Sequence, residues 1–457
     1  KVWLKQRGVS LLNSGVLHHI GLLATCAGGG SQAHIHPILN AAVAFASGRI
    51  VWVGEEKQIP SRYSNLERTS AGGRTVIPGL VDCHTHLAFG GWRADEFRMR
   101  IEGKGYLDIA AAGGGIRKTM RQTRMATEEA LLEHCLGYAQ KYLQLGVTAI
   151  ECKTGYGLSL EEELKLLRVY RKLSHKVPLD VVSTLLAAHV VPPDDKCNRD
   201  CYIKMICEEL IPRVAEEGLA DFNDIFVEQG AYTAEEAEHI LGVGLTFGLI
   251  PKLHVDQLSD GGGGELAARV GAVSADHLEY TSPEGIAAMA ASGVTAVCLP
   301  FASLYLNQPP MQARAFLDAG VGVAVATDFN PGSAPSYDLP LAMMLACTMS
   351  RMTPAESLKG ATLLAAKAIG KTLEENSKIF AFIANILAKD KSDDDRWRGF
   401  KAPISSRNLA NCVEDEVVET LIEKVKENYV QISHRYYKIK AKILGKKSLN
   451  HWDRNAP

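Results

Sequence analysis

Between about residue 76 and residue 370, short apolar runs alternate with stretches of helical spacing. "TAIEC" (148–152) is followed by "SLEEELKLLRVYRKL" (159–173) and then by "LDVVSTLLAAH" (179–189). "DIFVEQ" (224–229), a helical stretch near 233–248, "IPKLHVDQ" (250–257) and "VSADHLEY" (273–280) continue the alternation. "GIAAMAASG", "VTAVCLP" and "VGVAVATDFNPG" complete it. Strands that alternate with helices of this length imply βαβ units and a parallel sheet. Seven or eight such units over roughly 290 residues predict an α/β fold, a (β/α)8 TIM-like barrel.

The flanks have a different texture. Residues 41–54, "AAVAFASGRIVWVG", predict a hairpin in which two apolar strands meet at a Ser-Gly turn. Residues 1–75 therefore form the N-terminal part of a small β-domain, and 76–370 the barrel. In the remainder, 371–457, "KDKSDDDRWRGFKAP" (389–403) is a charged, turn-rich linker. Residues 413–444 predict an amphipathic helix, acidic at its start and basic at its end as the helix dipole prefers.

Composition narrows the function classes. The 457 residues are 46% hydrophobic and 22% charged, ordinary for a globular protein. A net charge of -2 gives no reason to expect nucleic acid or an anionic membrane as partner. No stretch reaches the roughly 18 uninterrupted apolar residues that suggest a membrane span. Ten scattered cysteines suit a reducing compartment, and a cytoplasmic location is expected. Cys197, Cys201 and Cys207 lack the spacing of a metal cluster and read as ordinary thiols.

The chemistry collects at strand ends. His84, Lys153, His189, His254, His277 and Asp328 each stand at the C-terminal end of an expected strand. In a barrel those ends converge on one mouth, where active sites sit. His84 and His86 lie one residue apart after the apolar run 76–82, and residues i and i+2 of a strand share a face. With His254 and Asp328 they make a set of three nitrogens and one carboxylate fit for a metal. Such a metal acidifies water, with Asp328 and His277 handling the proton. A second His-X-His, at 34 and 36, follows a glycine-rich turn rather than an apolar strand and makes a weak site.

These residues carry a resemblance. "PGLVDCHTH", a distant strand-end histidine, a further histidine and "ATDFNPGS" resemble the amidohydrolase superfamily. "HTHLAFGGWRADEF", "ECKTGYGL", "AAHVVP", "KLHVDQLSDGGGGELAA" and "SADHLEY" are similar to the imidazolonepropionase family in particular. The resemblance covers about residues 75–370. It implies hydrolysis of 4-imidazolone-5-propanoate to N-formimidoyl-L-glutamate, in histidine degradation. It also implies one Zn or Fe ion per chain on His84, His86, His254 and Asp328, and a homodimer. Substrate-binding positions of the family fall on Arg93, Tyr156, His189, Gln257, Asn330, Gly332 and Ser333. The physics agrees, because an Arg can hold the substrate's propionate bidentately. The competing reading of Arg93 is a surface salt bridge with Asp95 or Glu96. Lys153 reads as a charge near the substrate carboxylate or as an ion pair with Glu151, and less well as a carbamate bridging two metals.

The last segment departs from the pattern. The family's small β-domain draws strands from both chain ends, and "KTLEENSKIFAFIANILAKDKSDDD" (371–395) has none of the expected glycine-rich turn. A lineage-specific replacement and a shift of reading frame near residue 371 both fit, and the second raises a non-catalytic product as an alternative. The other alternative is an amidohydrolase of a different substrate, such as a nucleobase aminohydrolase. A neutral ring gives no reason for Arg93.

Overall fold

The computed structural model describes residues 14–47, 49–104, 113–192 and 198–370, with 423–424 and 440–441 beyond them. The chain divides into two units, Lys1–Leu373 and Glu374–Pro457. The linker and the helix expected in the second unit lie outside the described residues, apart from 423–424 and 440–441, which are helical.

Strand β1 (Ser14–Ala24) pairs antiparallel with β2 (Pro37–Ala46), and β2 pairs antiparallel with β3 (Arg49–Glu55). The expected hairpin is thus β2–β3. Two short strands, β4 (Arg68–Ser70) and β5 (Thr75–Val76), run parallel to β1 and complete a five-stranded sheet. Its alternation produces two small apolar clusters, one around Ile20, Leu23 and Ala41, the other around Val16, Ala42 and Ala44.

Eight parallel strands follow, each hydrogen-bonded to the next in chain order. They are β6 (Leu80–Asp82), β7 (Val147–Lys153), β8 (Asp180–Ala188), β9 (Phe222–Val227), β10 (Ile250–Val255), β11 (Ser274–His277), β12 (Thr295–Cys298) and β13 (Val323–Val325). Their near-continuous burial is that of a parallel sheet covered on both faces. The helix Leu160–Lys176 shows how the outer layer packs. Leu164, Leu167 and Tyr170 face the barrel, three glutamates fill its first turn, and His175 and Lys176 end it.

Closure of the barrel happens at the mouth. Strand β6 stops at Asp82, short of the histidine pair, which was expected to ride within the strand. An isolated parallel bridge, Thr85 to Phe329, continues the pairing instead. The Asp328 amide donates to the His84 carbonyl at 3.0 Å, and the His86 amide to the Phe329 carbonyl at 2.9 Å. First and last strands are therefore laced together by the residues expected to bind metal. The second His-X-His lies elsewhere. Beside it, the Gln32 side chain bonds both the amide and the carbonyl of Val323, which ties the small sheet's segment to β13. The rings of His34 and His36 lie 4.0 Å apart, tilted at 59° to each other, and no metal-like grouping among the described residues includes them. Of the cysteine trio, Cys207 is a buried free thiol and Cys201 is disulfide-bonded, a departure from the expected thiol. Among the described residues no helix is long and apolar enough to cross a membrane.

Candidate metal-dependent active site

His84, His86 and Asp328 bring one donor atom each within 4.8 Å of one another, and His84, His254 and His277 do the same. His84 and His86 reach toward the same oxygen, Asp328 Oδ1, from 3.4 and 3.5 Å. Because Thr85 turns the other way, to donate to the Glu151 carbonyl at 2.6 Å, both imidazoles project to the side of Asp328. The residues fit a metal ion by a specific test. His84 Nδ1 donates to Asp276 at 2.7 Å and His254 Nδ1 to Asp224 at 3.1 Å, which leaves each Nε2 with its lone pair outward. Both Nε2 atoms are buried and without a hydrogen-bond partner. A buried orphan acceptor is costly, whereas a metal ligand backed by a carboxylate on its other nitrogen is a common arrangement. Burial, joined by Lys153 and the sister imidazoles, holds His84, His86 and His254 well below the usual histidine range. They are neutral, as ligation requires.

Beneath the histidines lies a layer of buried charge. Lys153 Nζ, at the end of β7, stands 2.9 Å from Glu151, 2.7 Å from Asp224 and 3.3 Å from Asp276. Lys252 Nζ stands 3.1 Å from Glu151 and donates to the Ala368 carbonyl at 3.0 Å. Burial alone lowers the pKa of Lys153, but Asp224, Glu151 and Asp276 outweigh it and raise the net value. Of the readings open for Lys153, the ion pair with Glu151 is the one present. Asp224 and Asp276 were not singled out from the sequence. The signal was there: Glu151, Lys153, Asp224, Lys252 and Asp276 are charged residues inside otherwise apolar strands, and buried charge needs partners.

His277 and Asp328 are held in uncommon backbone conformations, with φ of +80° and +55°. Such residues cost on the order of 1–3 kcal/mol each and persist where the surroundings impose them. Glu279 lies 3.7 Å from His277 Nδ1, too far for a hydrogen bond. Burial works to lower the His277 pKa, and Glu279, Asp328 and Asp276 together raise it overall. Burial pushes Asp328 up to about 7, against the opposing pull of His277.

The residues expected to meet substrate are in different states of engagement. His189 stacks on His86 with centroids 5.3 Å apart, and its Nδ1 donates to the Gly155 carbonyl at 3.1 Å. Burial takes its pKa down to about 4. Tyr156 is buried 5.6 Å from both rings, its pKa raised by burial. Its loop is clamped by Glu163, whose carboxylate accepts from the amides of Gly155, Gly157 and Leu158 at 3.1, 2.8 and 2.7 Å. Gln257 is half-buried next to Asp256. Arg93 is buried and bonds Glu96 bidentately, each contact 3.0 Å, so the competing ion pair exists, though not as a surface one. Its guanidinium also lies against Gly332, where a Cβ would collide with Nη1. Asn330 is engaged in its own loop: Oδ1 accepts from the Gly332 and Ser333 amides at 2.8 Å, and Nδ2 donates to the Asp328 carbonyl at 2.7 Å. In this arrangement Asn330, Gly332 and Ser333 shape the turn that carries Asp328. Glu96 and Glu163 act only through what they hold, and their spacings of three and seven residues from Arg93 and Tyr156 made them findable.

No family model matches the chain. Among curated proteins, the chain is 46% identical over 358 residues to an imidazolonepropionase of Geobacillus kaustophilus (strain HTA426), covering 76% of this chain and 84% of the relative. An imidazolonepropionase of Paracoccus denitrificans (strain Pd 1222) is 47% identical over 358 residues, 78% of this chain and 88% of its own length. Solved structures with the same fold include a 5-methylcytosine deaminase from Klebsiella pneumoniae, with TM-score 0.59 and 14% identity over 78% of this chain and 86% of that one. Another is a zinc complex of atrazine chlorohydrolase from Arthrobacter aurescens TC1, with TM-score 0.55 and 15% identity over 78% of this chain and 83% of that one. At those identities the likeness is one of fold alone. Sequence identity of nearly one half over most of each curated relative carries more: the chain belongs to the imidazolonepropionase family.

Proposed function

We propose that the chain hydrolyses 4-imidazolone-5-propanoate to N-formimidoyl-L-glutamate at the barrel mouth, as a step of histidine degradation. The observation that carries this reading is the 46% identity over 84% of a curated imidazolonepropionase. His84, His86, His254 and Asp328 would hold a single zinc or iron ion. When bound, that ion supplies an acidified water and a Lewis acid for the ring carbonyl.

The chain's own residues do the rest. Arg93, kept extended by Glu96, takes the propionate through its remaining N–H groups. Tyr156 donates to a substrate oxygen from one wall, where His189, its Nδ1 proton committed to the Gly155 carbonyl, offers Nε2 as an acceptor to a ring N–H, and Gln257 orients the ring from another. Asn330 and Ser333 with the Gly332 backbone shape the opposite rim. Asp328 takes the proton of the attacking water at its carboxylate. His277 passes a proton to the ring nitrogen as the amide C–N bond breaks, leaving a carboxylate on one side and the formimidoyl group on the other. Gln257 has no basic group, so the proton transfers rest on His277 and Asp328.

Turnover of freshly prepared imidazolone propionate by the purified full chain, with bound metal assayed in the same sample, tests the reading. Hydrolysis with about one ion per chain is expected. Full metal loading without turnover, or turnover of nucleobases instead, would overturn the substrate. The same preparation run on a sizing column decides the expected homodimer.

A further inference from the structure

We infer that Lys153 is a positioning residue for the metal centre: its buried ammonium joins Asp224 to Asp276, the carboxylates that hold His254 and His84, and so aims both ligand nitrogens in advance. The inference rests on the reading of those histidines as ligands.

An ammonium has three N–H groups, and Lys153 has three carboxylates around it, on β7, β9 and β11, at 2.7–3.3 Å. Its two aspartates reach in turn to His84 past β6 and to His254 on β10. One cation thus ties four of the eight barrel strands, β7, β9, β10 and β11, and the segment that follows β6. Asp224, His254 and Asp276 have donor atoms within 4.8 Å of one another. Without the ammonium, the two aspartates face each other as like charges beside one imidazole, and either can turn an oxygen toward an entering ion. With it, both are turned to the histidine N–H groups and fix the tautomer that leaves Nε2 for the metal. Lys252 is the internal control. It is equally buried and charged, yet its partners are Glu151 and the Ala368 carbonyl, and it makes no ion pair with Asp224 or Asp276.

The test measures Zn2+ affinity of the metal-stripped full chain by competition with a chromogenic chelator, alongside its melting temperature. Lys153→Met is expected to weaken Zn2+ binding about tenfold or more, as loss of outer-shell support typically does, and Lys252→Met by less than about threefold. A role confined to stability would lower both melting temperatures and leave the two affinities alike. Lys153→Met that binds Zn2+ as tightly as the native chain overturns the inference, as does an equal loss in Lys252→Met. Should Lys153→Met fail to fold, the charge-balanced Lys153→Met/Asp224→Asn chain is compared with Asp224→Asn alone. Weaker binding by the double variant is expected, and equal affinity overturns the inference. A native chain that takes up no Zn2+ and no iron would overturn the metal centre itself, and the proposed function and this inference with it.

Discussion

The small N-terminal sheet and the barrel are both β-structure in one chain, and they treat side chains in opposite ways. Among the described residues β3 is an edge strand of the sheet, and Leu39 on β2 and Ile50 on β3 are 63% and 56% exposed. Its apolar clusters are small. In the barrel, Glu151, Lys153, Asp224, Lys252 and Asp276 are wholly buried and mutually paired. Closing a parallel sheet on itself removes its edges and leaves the strand ends as the place where polar side chains can be held dry and fixed. The buried charges of this molecule thus belong to the closed sheet, while the open one contributes packing and the Gln32 tie to β13.

Substitutions can break that division or sharpen it. The largest expected effect is at the mouth: Asp328→Asn should lower kcat by about 10²–10⁴ without loss of fold, since it removes the proposed proton acceptor. Steady-state kinetics with circular dichroism check this, and near-native turnover would move the proton transfer elsewhere. In the sheet, Ile20→Ala should cost roughly 2–5 kcal/mol in urea unfolding by opening a cavity, with kcat per folded molecule unchanged. A fall in kcat there would show that the sheet reaches into catalysis.

Asp82 sharpens the contrast through pH. It is buried where the barrel closes, bonded to the amide and hydroxyl of Thr327, and burial raises its pKa to about 6. The folded state therefore binds its proton more tightly than the unfolded chain. Stability from this group is fully present below the unfolded pKa of about 4 and is lost as pH rises through about 6, on the order of 3 kcal/mol in all. Urea titrations near pH 4 and pH 7 should show the native chain losing stability relative to Asp82→Asn, and parallel curves would place its carboxylate in a wetter setting. Arg93→Met comes next, with kcat/KM on imidazolone propionate down by roughly 10–100-fold, mostly in KM, from the lost hydrogen bonds to a charged group. An unchanged KM would assign the propionate to another anchor. The smallest effect is expected for Leu39→Ser on the exposed sheet, within about 0.5 kcal/mol and without kinetic consequence.

Several features needed only the chain itself. The alternation of apolar runs with helical spacings is a local signal, and it specified the parallel barrel and the small hairpin beside it. His84, His86, His254, His277 and Asp328 were legible because a residue at the end of a parallel strand has one place to go. Even their order around the mouth follows from chain order, since each strand pairs with its predecessor. The pairings beneath them were decided by tertiary structure. His84 meets Asp276 across 192 positions, and no period or spacing connects the two. Which carboxylate backs which imidazole, and that one ammonium holds both carboxylates, depends on the stagger between neighbouring strands and on how the closed barrel turns its interior rows. The same holds for Arg93. Its partner Glu96 was near at hand in the sequence, but that the pair is buried against Gly332 follows from where the loop after β13 folds back. Hydrophobic periodicity is written residue by residue, whereas the partner of a buried charge is chosen by whatever the closed fold brings within about 3 Å of it.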